Sequence, residues 1–209
     1  MLIKICGVSS LATAVTAKEC GADYIGFVFA PSRRRIAIPD ACNIAREVKG
    51  IGKVGVFVNA PIYELLEIAR QCRLDYVQLH GDESPAYCQK VNIPFIKAVR
   101  VNNELTAAYL AQYQADYILL DSYVPGRQGG TGITFDWNKT KDLRRKVDTP
   151  IIVAGGLTVS NVAEAIGTLL PAGIDVSGGV ETNGQKDDDK IKCFVAAARR
   201  AAQGGGHPC

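Results

Sequence analysis

The stretch LIKICGVSSLATAVTAKECG, residues 2–21, decides the fold. LIKIC is short and apolar on most positions, as a strand covered on both faces must be. The serines after it suit a helix start, and Gly21 suits a helix end. A strand followed at once by a helix is the opening of a parallel crossover unit. The same order then recurs. Strand-like pieces lie at 23–29, 53–58, 75–80, 95–99, 116–121, 150–154 and 174–177. Helical patterns occupy 36–48, 59–72, 84–91, 158–170 and 187–202. Asn59 and Thr158 are candidate caps, Pro61 and Pro85 sit near first turns, and the last helix starts acidic and ends in arginines, which suits its dipole. ADY, LDY, ADY and IDV begin the second, fourth, sixth and eighth strands, a faint internal echo.

No linker divides the chain, so residues 1–203 read as one domain and 204–209 as a frayed tail. Strict alternation predicts a parallel sheet, and eight units predict a single-domain α/β fold, the closed (β/α)8 TIM barrel. An open doubly wound sheet is the competitor. The absence of GxGxxG after the first strand removes its main support.

At 47% hydrophobic and 22% charged residues, the chain has the composition of a globular protein with a well-buried core. The net charge of +3 is small, and the basic residues are scattered apart from SRRR at 32–35 and DLRRK at 142–146. Composition therefore makes no case for nucleic acid. No apolar run is long enough to span a bilayer, and the first residues form no charged-then-apolar leader. Seven cysteines without a CxxC pair, and only two histidines, give no zinc pattern. The expectation is reduced thiols in the cytoplasm, with no metal and no cofactor.

A barrel turns strand ends into site candidates, because barrel enzymes keep their active sites at the C-terminal mouth. Side chains alternate across a strand. If Ile3 and Ile5 face the helices, Lys4 and Cys6 face the axis. By the same counting Gln78 and His80, Asp121, and Asp175 and Ser177 face inward. A thiol, an imidazole and two carboxylates thus converge on one opening. Each has a plain alternative: Cys6 as a small hydrophobe, His80 as a hydrogen-bonded structural residue, Asp121 as a turn starter, Asp175 as the partner of a buried Lys4. Their joint placement favours a site. AGGLTVSN (154–161) and SGGVE (177–181) follow adjacent strands, so backbone N–H groups at Gly155, Gly156, Gly178 and Gly179 suit a phosphate. A third glycine-rich run, GRQGGTG (126–132), suits a lid or an ordinary loop.

KICG, GFVFAPSRRRI, VGVFVN, VQLHGDE, LLDS, GGTGITFDW, AGGL and DVSGGVE, in that order from residue 4 to residue 181, resemble the phosphoribosylanthranilate isomerase family. The resemblance implies a metal-free, cofactor-free barrel of tryptophan synthesis. It would convert phosphoribosyl anthranilate to the carboxyphenylamino-deoxyribulose phosphate, an Amadori rearrangement. It implies Cys6 as general base, Asp121 as general acid, and an arginine for the anthranilate carboxylate. Counting from Ser32 gives Arg34, with Arg35 adjacent. His80 and Asp175 would orient substrate or stabilise the iminium. Relatives often carry Ser-Gly where this chain has Gly178-Gly179. A thiol base needs a lowered pKa, for which Lys4 or Arg34 is the expected source. The expected partners are a small phosphosugar and either a second copy of the chain or another enzyme of the pathway. Two rivals stay open: another phosphosugar-isomerising barrel, and a non-catalytic barrel subunit.

Overall fold

A computed structural model of the chain describes residues 1–102, 104–121, 141 and 143–204. Eight strands, β1 (Leu2–Cys6), β2 (Tyr24–Val28), β3 (Gly52–Phe57), β4 (Tyr76–Leu79), β5 (Phe95–Arg100), β6 (Tyr117–Asp121), β7 (Ile151–Ala154) and β8 (Gly173–Val176), form a closed barrel. β8 returns to pair in parallel with β1, Lys4 opposite Asp175, which excludes the open sheet. Around it lie helices α1 (Leu11–Glu19), α2 (Ile38–Glu47), α3 (Ile62–Gln71), α4 (Pro85–Cys88), α5 (Ala107–Ala111), α6 (Val162–Leu169) and α7 (Asp188–Ala202). A small antiparallel hairpin, β9 (Glu181–Thr182) and β10 (Gln185–Lys186), sits between β8 and α7.

Several expectations change in detail. α4 is one turn rather than the whole of 84–91, with Ser84 accepting from the Tyr87 N–H at 3.2 Å. α5 gave no period because it is only five residues long. Asn59 does not cap α3; it adopts positive φ, and its side-chain oxygen takes the Asp82 N–H. Thr158 does not cap α6: Asn161 holds the N-cap position, and its side chain bonds Thr158 N and Gly156 O. The run 126–132 and the tail residues 205–209 lie outside the described residues. So does Cys209.

The reduced-thiol expectation is corrected by a disulfide between Cys42 and Cys72. Thirty residues separate them in sequence. Cys42 lies on α2 and Cys72 caps the end of α3, and the wound fold brings these positions together. Spacing along the chain carries no trace of that proximity.

The Asp of each xDY repeat has a definite task. Asp23, Asp75 and Asp116 accept the N–H groups of Ile3, Lys53 and Phe95 at 2.7, 2.7 and 2.9 Å, tying each even strand to the odd strand before it. The tyrosines that follow meet edge-on inside the barrel floor, Tyr24 with Tyr76 and Tyr76 with Tyr117. IDV is not a fourth copy. Asp175 sits opposite Lys4, while Gly173, two residues earlier, sits opposite Leu2.

Strand register stacks the interior in layers above that floor. Lys4, Val54, Ile96 and Ile152 form the next, then Gly26, Gln78, Leu119 and Asp175, then Cys6, Val56, Ala98 and Ala154. The outer faces of the strands pack on the helices in a large cluster that includes Ile3, Ile5, Phe27, Leu79, Leu120 and Phe194. Among the described residues no helix is long and apolar enough to cross a membrane.

Candidate active site

Cys6 ends β1 at the mouth and is buried, with 7% of its surface exposed. Beneath it, Lys4 Nζ lies 3.0 Å from Asp175 Oδ1, both side chains buried. Gly26 makes room for this arrangement. A Cβ there would sit 3.1 Å from both Cys6 Sγ and Lys4 Cε and 3.2 Å from Cys6 Cα. The sequence offered two readings of Asp175, and the structure pairs it with Lys4. Burial alone would lower the Lys4 pKa; the Asp175 carboxylate and Cys6 more than offset it, so the ammonium is held above its ordinary range.

The thiol behaves differently from expectation. Burial pushes Cys6 up, Lys4 pulls it back, Asp175 adds to the rise, and Lys186 pulls it back again. The net direction is upward. Counting cations from sequence omitted the cost of burying a thiolate, and here that cost wins.

On the opposite wall, His80 Nε2 lies 3.1 Å from Asp121 Oδ2. Gln78 Nε2 lies 2.8 Å from His80 Nδ1. An amide N–H donated to Nδ1 leaves the imidazole proton on Nε2, facing Asp121. His80 and Asp121 thus come together as the alternation predicted. The loop that presents His80 is held by two residues sequence reasoning missed. Lys97 Nζ lies 2.7 Å from Glu83 Oε2, with side chains 2% and 1% exposed. Lys97 also donates to the carbonyls of Leu79 and Gly81, and Glu83 accepts from the N–H groups of Asn59 and Gly81. The HGDE run signalled this network by placing a carboxylate three residues after the histidine.

Arg34 reaches the mouth from the β2–α2 loop. Its stem lies over Gly7, where a Cβ would stand 2.7 Å from Arg34 Cδ and where φ is +77°. Glu181 grips Arg34 in a fork, Oε1 to Nε at 2.6 Å and Oε2 to Nη2 at 2.9 Å. Arg33 and Lys186 join the same carboxylate at 2.9 and 2.8 Å. Burial would raise Glu181, but its partners outweigh that and hold it at about 2. Arg35 is exposed, whereas Arg34 is half-buried, with its stem against Gly7 and its guanidinium on Glu181. Glu181 and Lys186 were also missed: one ends a recognisable motif, the other sits on a two-residue strand with no period to read.

The glycine loops abut. A Cβ on Gly179 would collide with the carbonyl of Leu157, so only a bare backbone permits the approach. Gly155 and Gly156 adopt φ of +85° and +64°. Gly178 begins the short 3-10 turn Gly178–Val180. Among the described residues no three His, Cys, Asp or Glu side chains converge as a metal site.

The chain matches the family model described as N-(5'phosphoribosyl)anthranilate (PRA) isomerase over residues 3–197. An N-(5'-phosphoribosyl)anthranilate isomerase of Roseiflexus sp. (strain RS-1) is 48% identical, with 96% of this chain and 99% of the relative aligned. A monomer form of the dimeric phosphoribosylanthranilate isomerase of Thermotoga maritima superposes with TM-score 0.83 at 39% identity, covering 98% of this chain and 100% of that one. A phosphoribosyl anthranilate isomerase in complex with reduced 1-(o-carboxyphenylamino)-1-deoxyribulose 5-phosphate gives TM-score 0.81 at 37% identity, over 98% and 100% of the two chains.

Proposed function

The chain belongs to the N-(5'-phosphoribosyl)anthranilate isomerase family and is an isomerase, and we propose that its mouth runs the Amadori rearrangement with Cys6 as general base and Asp121 as general acid. The supporting observation is the placement of these two groups on separate walls of one opening, Cys6 above the Lys4–Asp175 pair and Asp121 against His80. Aminoaldose ring opening needs a proton at the ring oxygen, and the following step needs a base at C2.

Asp121 gives its proton to the ring oxygen as the C1–O bond breaks, leaving a Schiff base between C1 and the anthranilate nitrogen. Cys6, as thiolate, takes the C2 proton. The C2–H electron pair becomes a C1–C2 double bond, and the iminium electrons return to nitrogen. The resulting enolamine tautomerises to the ketone. His80 orients Asp121, and Asp175 holds Lys4 under the thiol. Arg34, pre-set by Glu181, receives the anthranilate carboxylate. The N–H groups of Gly155, Gly156, Gly178 and Gly179 receive the phosphate, supplying affinity remote from the reacting carbons. The reaction serves tryptophan synthesis in the cytoplasm, and the chain pairs with a second copy of itself.

Turnover of phosphoribosyl anthranilate by Cys6→Ser and Asp121→Asn tests the assignment. Each variant is expected to keep its fold and lose about 10²–10⁴-fold in kcat. Near-parental turnover by Cys6→Ser would show the thiol to be packing.

A further inference from the structure

The scheme above leaves Lys186 without a task, although three hydrogen bonds tie its ammonium down beside the mouth. Its side chain is 5% exposed. Its Nζ donates to Ser177 O at 3.0 Å, to Ser177 Oγ at 3.2 Å and to Glu181 Oε1 at 2.8 Å. Ser177 Oγ in turn donates to the carbonyl of Cys6 at 3.0 Å. One ammonium therefore braces the main chain of Cys6 through Ser177 and the guanidinium of Arg34 through Glu181. A lysine buried only to stabilise a surface hairpin would need neither link.

The charges around Cys6 can be paired off. β1 contributes Lys4 and β8 contributes Asp175, which bond each other. The β2–α2 loop contributes Arg34 and β9 contributes Glu181, which also bond each other. β10 contributes Lys186, whose carboxylate partner is already shared with two arginines. Three cations on one carboxylate leave this side of Cys6 with an excess of positive charge, and the field of Lys186 acts on the thiol.

We propose that Lys186 is a positioning residue for the isomerisation: it fixes the strand end behind Cys6, adds to the excess positive charge that favours the thiolate, and couples the thiol to the arginine that binds the carboxylate. This rests on reading Cys6 as the base. Burial opposes the thiolate, and Lys186 works against that burial together with Lys4. Removing it displaces thiol ionisation to higher pH.

The experiment compares the parent, Lys186→Met and Lys186→Arg as full chains. It follows the rate of iodoacetamide alkylation at the Cys6 peptide by mass spectrometry across about pH 6 to 10, together with the pH profile of kcat/KM. In Lys186→Met, alkylation at neutral pH is expected to slow about tenfold or more. The kinetic limb should move the same way, and Lys186→Arg should restore part of both. An alkylation profile that overlies the parent's overturns the inference. If Lys186→Met fails to fold by circular dichroism, Ser177→Ala decides, since it removes the link to Cys6: unchanged alkylation and kinetics there overturn the inference equally. A Cys6→Ser protein that turns over normally instead defeats the general-base reading, whatever Lys186 does to the thiol.

Discussion

Replacing Lys97 by Met should cost about 3–4 kcal/mol of stability, which is large for a position that touches no proposed reacting group. Lys97 and Glu83 are 2% and 1% exposed, so solvent screening gives no relief to the charge left behind. After the substitution Glu83 keeps only the N–H groups of Asn59 and Gly81. The contact between Lys97 Nζ and the Tyr113 ring, 5.5 Å from its centroid, is lost as well. Breaking one side of a buried pair typically costs about 3–5 kcal/mol, and the two remaining N–H donors move the expectation to the lower part of that range. Glu83→Gln should be costly for the converse reason, because it strands an ammonium against two carbonyls. The double variant Lys97→Met/Glu83→Gln removes both charges and should lose clearly less than the sum of the singles, by at least about 1 kcal/mol. Urea unfolding followed by circular dichroism measures all three. A loss below about 1 kcal/mol for Lys97→Met, or strict additivity in the double variant, would refute the reading of this pair as a coupled brace.

Arg34→Ala should weaken binding of the product analogue by about 1.5–3 kcal/mol while inorganic phosphate competes as before, and Arg35→Ala should change little; titration calorimetry separates the two arginines. Gly26→Ala should destabilise by about 1–3 kcal/mol, because the new methyl meets the Cys6 backbone as well as movable atoms, and it should lower kcat by displacing Sγ, both readable from melting and turnover. Glu181 is held at about 2, so its contribution is complete above the ordinary carboxylate range and is lost as pH falls from about 4.5 toward that value. The melting temperature of Glu181→Gln should accordingly decline less over that acid window than the parent's.

The barrel was legible because each strand is a short apolar run and helical patterns alternate with the strands, some of them with capping residues at their starts. Ser10, Ser84 and Asp187 cap as their residue types predict. Inward alternation placed Cys6, His80 and Asp121 at one mouth without any side-chain information. What stayed hidden depends on proximity across the fold. Cys42 and Cys72 meet only because α2 and α3 lie side by side. Lys97, read as one more residue of a strand, turned out to hold the loop beside it. The direction of the Cys6 shift could not be read either, because sequence lists neighbouring charges but not how much water is excluded from them.

The seam between β1 and β8 gives this architecture a temporal consequence. Lys4 and Asp175 are 171 residues apart, and Arg199 of α7 reaches back to the carbonyl of Met1 across 198. Contacts of such separation carry the largest loop-closure entropy and form late during refolding. The floor of the Cys6 site is itself part of that seam. A partly assembled chain can hold most of its helices and several paired strands and still lack the ion pair beneath the thiol. Recovery of turnover after dilution from denaturant should therefore lag behind recovery of helical signal, making catalysis a clock for the final ring-closing event.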